Sequence, residues 1–236
     1  MPPAVQPNQE NDMAITLTTG STLSVAKSYE ANLAFTAATN ANPCELTVSG
    51  STVAVGDYVE VNSGWGLLDK RIVRAGVGTT ATKIVLEGID TSSTAKYPVG
   101  AGAASGGVTY VRRIPPSTGW SQITQVRSIS ASGGQQQYAD VTSIVDVVTR
   151  QVPTVRGAVE MTVDVFDDPS LTWYADVMKA DDSRSPVAML LTFPNGSKTV
   201  ANAYWSLMRV PTMAQNEALM TQISLSYAAE PVRYAT

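Results

Sequence analysis

The stretch Ala158-Val159-Glu160-Met161-Thr162-Val163-Asp164-Val165 decides how the rest of the chain is read. Ala158, Glu160, Thr162 and Asp164 share one parity; Val159, Met161, Val163 and Val165 share the other. Side chains alternate between the two faces of a strand, so this pattern predicts a strand with one buried and one polar face. Asp168-Pro169 follows and predicts the start of a helix. Aspartate suits the N-cap, and proline at the first helical position loses nothing by lacking an N–H. Leu171, Tyr174, Ala175 and Met178 recur at i, i+3, i+4 and i+7, one apolar stripe to lie against a sheet. Trp173 falls off that stripe and is expected to meet a neighbouring molecule. The helix is expected to end near Asp181-Asp182.

Outward from this unit the chain reads as strands. Residues 187–193 and 199–208 flank Pro194-Asn195-Gly196-Ser197, and Asn-Gly between apolar runs predicts a hairpin because both residues accept positive φ. That turn also explains the match of Asn195-Gly196-Ser197 to a glycosylation acceptor. The last strand, 218–228, sets Leu219, Thr221, Ile223, Leu225 and Tyr227 against Gln222, Ser224 and Ser226. Upstream, 122–131 reads as one strand, Gly133-Gly134 as a turn, and 135–142 as a further strand. The apolar, partly charged run 140–155 contains Pro153 and predicts a projecting hairpin or loop. Near the N-terminus, 14–18 and 22–26 flank the turn Thr19-Gly20-Ser21, behind a flexible polar arm at 1–12. Turn signals every 8–12 residues indicate a β-sandwich or barrel. The expected fold is mainly β: two packed antiparallel sheets flanked by one α-helix.

Residues 37–114 differ in composition. They hold 11 of the 17 glycines and carry a charge of +1, against −5 for the remainder. This stretch is expected to be a small β module, with strands near 53–61, 70–75 and 82–87, inserted into a host domain of residues 13–36 and 115–236. Its two ends must then lie close together.

Composition narrows the chemistry. Charged residues make up 15% of the 236, against about 25% in typical soluble domains, so Ser, Thr, Gln, Asn and Ala must cover much of the surface. Such a surface suits packing against copies of itself. A net charge of −4 argues against gripping a phosphate backbone, which needs a basic stripe. There is no histidine, and Cys44 is the one cysteine. That removes His-based general bases, Ser-His and Cys-His nucleophiles and thiolate zinc sites. It also removes any internal disulfide, and Cys44 is expected to be a small buried residue. No apolar run of about 18 residues predicts a membrane span, and the first residues lack a signal-peptide pattern, so a cytoplasm is the default place of synthesis.

Asp167-Asp168 and Asp181-Asp182 read as a helix cap and a solvated helix exit, since the loop spacing of a Ca²⁺ site is missing. Residues 100–107 are glycine-rich but lead into a strand, not a helix, so a connector is expected rather than a phosphate cradle. Arg112-Arg113 and Lys70-Arg71 are expected to be solvated or to form salt bridges between subunits. Catalytic, cofactor and metal residues are therefore expected to be none.

The order of elements carries a resemblance. Thr124-Gln-Val-Arg-Ser-Ile-Ser130, a glycine turn, Ala139-Asp-Val-Thr-Ser143, a loop, Arg156-Gly157, the 158–165 strand and Asp168-Pro169 together resemble the tail tube proteins of long-tailed bacteriophages. The likeness covers 14–30 and 115–230. The insert, with Gly56-Asp-Tyr-Val-Glu-Val61, Gly64-Trp-Gly66 and Val85-Leu-Glu-Gly-Ile-Asp-Thr91, is similar to a β module carried by some of these proteins. The resemblance implies subunits in six-membered rings, stacked into a hollow tube around a tape-measure protein and bounded by tail-tip and terminator proteins. One sheet of each subunit would join its neighbours edge to edge, and DNA would pass without specific binding. Loop 140–155 resembles the family's inter-subunit loop, which assigns contacts to Asp140, Val141, Ile144, Val145, Val147, Val148 and Arg150. Glu160, Thr162 and Asp164 become candidates for the lumen face. Two alternatives stay open: a surface- or carbohydrate-binding β module of a baseplate or adhesin, and an enzyme acting through paired carboxylates.

Overall fold

The structure is a computed structural model that describes residues 19–98, 109–213 and 215–235. The arm at 1–12, the strand expected at 14–18 and the connector at 100–107 lie outside the described residues. In chain order the strands are β1 (Thr22–Ala26), β2 (Leu33–Ala38), β3 (Cys44–Val48), β4 (Tyr58–Asn62), β5 (Arg71–Arg74), β6 (Lys83–Leu86) and β7 (Tyr110–Ile114). Next come β8 (Trp120–Ile123), β9 (Val126–Gly133), β10 (Gln136–Asp140), β11 (Gln151–Arg156) and β12 (Val159–Phe166). Helix α1 (Thr172–Ser183) precedes β13 (Val187–Thr192), β14 (Lys198–Leu207), β15 (Met220–Tyr227) and β16 (Val232–Tyr234).

The host sheet is antiparallel, in the order β8-β1-β13-β14-β15-β12-β9, with β16 added to β14. Its two end strands, β8 and β9, are consecutive in the chain, separated only by Thr124 and Gln125. The sheet therefore curls until its edges approach, a nearly closed barrel. The single strand expected over 122–131 breaks at this corner, where Gln125 has φ 63° and its carbonyl accepts the Phe166 N–H at 3.2 Å. Alternating residues fill the interior: Met161, Val163 and Val165 from β12, Ile223 and Leu225 from β15, Leu23 and Val25 from β1.

Helix α1 packs against β14, β8 and β1. Its buried face is Trp173, Val177 and Ala180, and Ala175 is exposed. The stripe expected from Leu171, Tyr174, Ala175 and Met178 is thus rotated, and Trp173, expected to face a neighbour, is 1% exposed. The indole supplies the largest apolar surface on the helix, and its Nε1 donates to Thr124 Oγ1 at 3.2 Å, so burying it wins. Asp168 is not the N-cap either. Its carboxylate accepts the N–H and O–H of Ser170 at 3.1 and 2.6 Å, a local turn ahead of the helix, and Leu171 occupies the cap position without a side-chain bond. Trp173→Phe is expected to cost about 1–3 kcal/mol through the lost bond and the volume left unfilled, read as a shifted midpoint in urea unfolding.

The second sheet runs β5-β4-β7-β2-β3-β6. Its ends meet: Ala75 bridges Leu86, Gly76 N–H donates to the Val85 carbonyl at 2.8 Å, and Glu87 N–H donates to the Arg74 carbonyl at 3.0 Å. The result is a small barrel with its own core, including Phe35, Leu46, Val59, Ile84, Val111 and the fully buried Cys44. The chain enters and leaves side by side, Leu33 opposite Val111 and Ala34 opposite Tyr110. All of β2 belongs to this sheet, so the boundary expected at 37 falls inside a strand. A third cluster joins the two barrels: Ala26, Ala188, Val200 and Tyr234 from the host, Tyr58, Ile72 and Ile114 from the module. Among the described residues, no helix is long and apolar enough to cross a membrane.

Candidate assembly surfaces

The outward face of the β9-β12-β15-β14 half of the host barrel is a polar ladder. Register places Ser132, Glu160 and Ser226 in one row, Ser130, Thr162 and Ser224 in the next, and Ser128, Asp164 and Gln222 in the third. On β14, Tyr204 extends the first row and Ser206 the second. The three residues expected to line a polar face, Glu160, Thr162 and Asp164, thus form its central strand. Asp164 accepts Ser128 Oγ at 2.6 Å and Gln222 Nε2 at 3.3 Å, which fixes that rung, while Glu160 carries no partner among the described residues. At the far end Arg127 Nη1 lies 2.8 Å from Met220 Sδ. The period-2 serines of β9 are visible in sequence, but only the pairing unites four strands into one surface.

Elsewhere the same outward face is covered. Val200 and Asn202 sit under the module, whereas Tyr204 and Ser206 further along β14 are exposed. Among the described residues, backbone is open for pairing at several strand edges, two of them beside the ladder. β9 ends the sheet path and has β12 as its one partner. β13 ends at Val187 opposite Ala203, so Tyr204–Leu207 of β14 has a strand partner only in β15.

β10 and β11 form a separate two-stranded sheet that projects from the barrel. Gly133 makes the departure possible: its φ is +84°, and a Cβ there would meet the Ala158 carbonyl oxygen at 1.9 Å. The tip is braced from within. Asp140 Oδ1 accepts the Thr142 N–H at 2.8 Å and its hydroxyl at 2.5 Å, Asp146 Oδ2 accepts the Ser143 N–H at 3.0 Å, and Thr142 Oγ1 accepts the Arg150 N–H at 2.9 Å. The bonds from Thr142 hold the Asp140 carboxyl below its usual range. Arg150 reaches Asp146 at 3.7 Å. Against this ordered backbone the apolar side chains point outward: Ile144 and Val147 are fully exposed, and Val141, Val145 and Val148 mostly so. Exposed apolar side chains are thus gathered at the tip of this projection.

Three members of the two basic pairs find acidic partners within the chain, and Lys70 is exposed. Arg112 donates from Nη2 to Glu60 at 2.7 Å and lies 4.0 Å over the Tyr29 ring. Arg113 donates to Asp57 at 2.6 Å and to Glu30 at 2.8 Å. Glu60 and Asp57 are buried, so these pairs are internal, which corrects the expectation of solvated or inter-subunit arginines. Burial pushes the Glu60 carboxyl up, and Arg112 pulls it back in part. Arg71 reaches Glu230 at 3.6 Å, and Arg156 at the hairpin base reaches the same carboxylate at 3.0 Å. Asp181 and Asp182 both bind Arg209. Among the described residues, no group of three or more acidic or thiol side chains converges as a metal cluster.

The chain is thus a mainly-β protein with an open sheet edge, a polar outward face and a projecting hairpin. The chain belongs to the phage tail tube protein (TTP) family, whose model matches residues 63–236. It is accordingly a structural component of a phage tail. No curated protein matches the chain. Three solved structures are similar to part of it. The tube-terminating cap of the anti-feeding prophage shares 18% identity at a TM-score of 0.35, over 49% of this chain and 83% of that one. The sheath–tube complex of an extracellular contractile injection system, in its extended state, shares 18% at 0.33, over 45% and 80%. The anti-feeding prophage baseplate shares 8% at 0.34, over 49% and 84%.

Proposed function

We propose that the chain self-assembles into six-membered rings that stack into the hollow tail tube and conduct DNA. The observation that carries this reading is the polar ladder on a sheet with open backbone at β9 and at Tyr204–Leu207. Unpaired strand edges are a liability in a lone subunit. Edge-to-edge pairing of neighbours satisfies them, and a heterologous contact that closes gives a ring. The ladder then lines the lumen. Its rows carry hydroxyls, one amide and two carboxylates, and the carboxylates repel phosphate, with the Arg127 guanidinium at the far end as the exception. The tip carrying Asp140, Val141, Ile144, Val145, Val147, Val148 and Arg150 contacts adjacent subunits. Residues 33–114 are an inserted unit set outside the lumen, because their docking site on β1, β13 and β14 lies beside the ladder and not on it. A tape-measure protein and tail-tip and terminator proteins complete the tail, which is assembled in the host cytoplasm.

Negative-stain electron microscopy of the concentrated protein, alone and with purified tail-tip complexes, tests the reading. Rings or tubes with a central channel are expected. A subunit that stays monomeric in both conditions overturns it.

A further inference from the structure

The module is joined to the host in two different ways. At the crossing the chain enters and leaves as a pair. Lys27 N–H donates to the Gly119 carbonyl at 2.7 Å, and Glu30 N–H to the Arg113 carbonyl at 2.8 Å. Two linkers paired side by side hold a body at one place and leave rotation about it open. The second attachment comes from the segment after β15. Ala228 N–H donates to the Asn202 carbonyl at 2.8 Å, and β16 then pairs with β14, Tyr234 opposite Lys198. Tyr234 is buried. Its Oη accepts the Arg74 N–H at 2.8 Å and donates to the Glu87 carbonyl at 3.5 Å. The Arg74 guanidinium lies 4.5 Å over its ring. Burial pushes the phenol up to about 12, so it stays protonated and makes both bonds. Glu230 completes the attachment. One of its oxygens is 3.6 Å from Arg71 of the module, and the other is 3.0 Å from Arg156 at the hairpin base.

We infer that residues 228–235 are a strap that sets the module on the host barrel, and that Glu230 ties this setting to the root of the hairpin. Without the strap the joint is a small apolar contact: Ala26, Ala188 and Val200 of the host meet Tyr58, Ile72 and Ile114 of the module. Domains that touch through so few side chains rotate by default. Tyr234 adds an aromatic ring 6.3 Å from that of Tyr58. It also reaches backbone that the module's own sheet leaves over. The Arg74 carbonyl is taken by Glu87 N–H, whereas the Arg74 N–H is met by Tyr234. The two parts of the strap hold differently. The buried phenol fixes the module through bonds shielded from water. Glu230 is 55% exposed, so its pull on Arg71 and Arg156 is weak and is screened by salt. The strap works within the single subunit, whether or not subunits form a tube.

Amide hydrogen exchange of the full-length subunit, read residue by residue, tests the strap. One reporter is the Arg74 N–H, which Tyr234 meets directly. The other is the Ala188 N–H, whose partner at 2.8 Å is Tyr29 Oη on the linker and not the strap. Tyr234→Ala is expected to speed exchange at both at least about tenfold, while Val163 in the host core and Leu46 in the module core keep their protection. Faster exchange at Arg74 alone, or at neither, overturns the strap. If Val163 or Leu46 also loses protection, Tyr234→Phe, which keeps the ring and removes Oη, decides on the same two amides. Glu230→Arg at low salt is expected to speed exchange about two- to fivefold at Arg74 and at Gly157, whose N–H donates to the Gln135 carbonyl at the hairpin base at 2.9 Å. The effect is expected to fade toward about 1 M salt. A change at one of these amides without the other, or one that salt leaves untouched, overturns the tie through Glu230.

Discussion

Arg112→Leu is expected to destabilise the fold by about 3–5 kcal/mol at neutral pH, the cost of stripping the partner from a buried charge. Glu60 is 3% exposed, and its carboxylate receives both Arg112 Nε at 3.1 Å and Nη2 at 2.7 Å. The arginine also covers the ring of Tyr29, whose Oη accepts the Ala188 N–H at 2.8 Å and so ties the two barrels together. The loss depends on pH with a definite sign. Burial already raises the folded-state pKa of Glu60 above its usual 4.5, and removing Arg112 takes away the chief influence that lowers it. A carboxyl raised on folding contributes stability that is fully present below its unfolded value and is lost as pH rises through the folded value. The deficit of the variant is therefore smallest near pH 4.5 and grows toward pH 7. Urea unfolding of both proteins across that range measures it, and a deficit that does not change with pH would contradict the assignment. Glu60→Met with Arg112→Leu is expected to recover much of the stability, because two apolar groups leave no charge to solvate.

Glu160→Lys is expected to slow DNA ejection from virions at least about tenfold at low ionic strength, with recovery as salt is raised. Glu160 makes no hydrogen bond among the described residues and lies on the exposed face of β12, so the change alters charge without breaking a contact. In the proposed tube, where each ring repeats it, the change replaces repulsive carboxylates by ammonium groups that bind phosphate and release counterions. That contribution weakens steeply with salt. Ejection followed by dye uptake at graded salt reads the effect. Virions that assemble and eject at the wild-type rate would place β12 away from the lumen. Asp164→Lys is the less clean variant, because it also removes the bonds from Ser128 and Gln222.

What could be read in the sequence was local. The β12 alternation, the Asn195-Gly196 hairpin, the last strand and the projecting run at 140–155 each follow from a period or a turn residue a few positions long. The helix face was misjudged because Leu171, Tyr174, Ala175 and Met178 make as good a stripe as Trp173, Val177 and Ala180. Only the position of Thr124 under the indole separates them. The strand break at Gln125 depends on closing the barrel, not on a breaker residue. Arg112 and Arg113 meet Glu60, Asp57 and Glu30 through pairings 52 to 83 residues apart, and no spacing rule reaches that far.

The closure of the small barrel bears on how free subunits behave in a crowded cell. Because β5 and β6 meet at Ala75 and Leu86, the end strands of the module's sheet pair with each other and leave no end strand unpaired among its described residues. In the host barrel α1 lies alongside β8. The valence for strand addition is thereby concentrated on β9, the end of β14 and the hairpin. The module thus brings no further end strand to the host among the described residues, and the places where a second copy could add a strand stay with the host barrel and its hairpin.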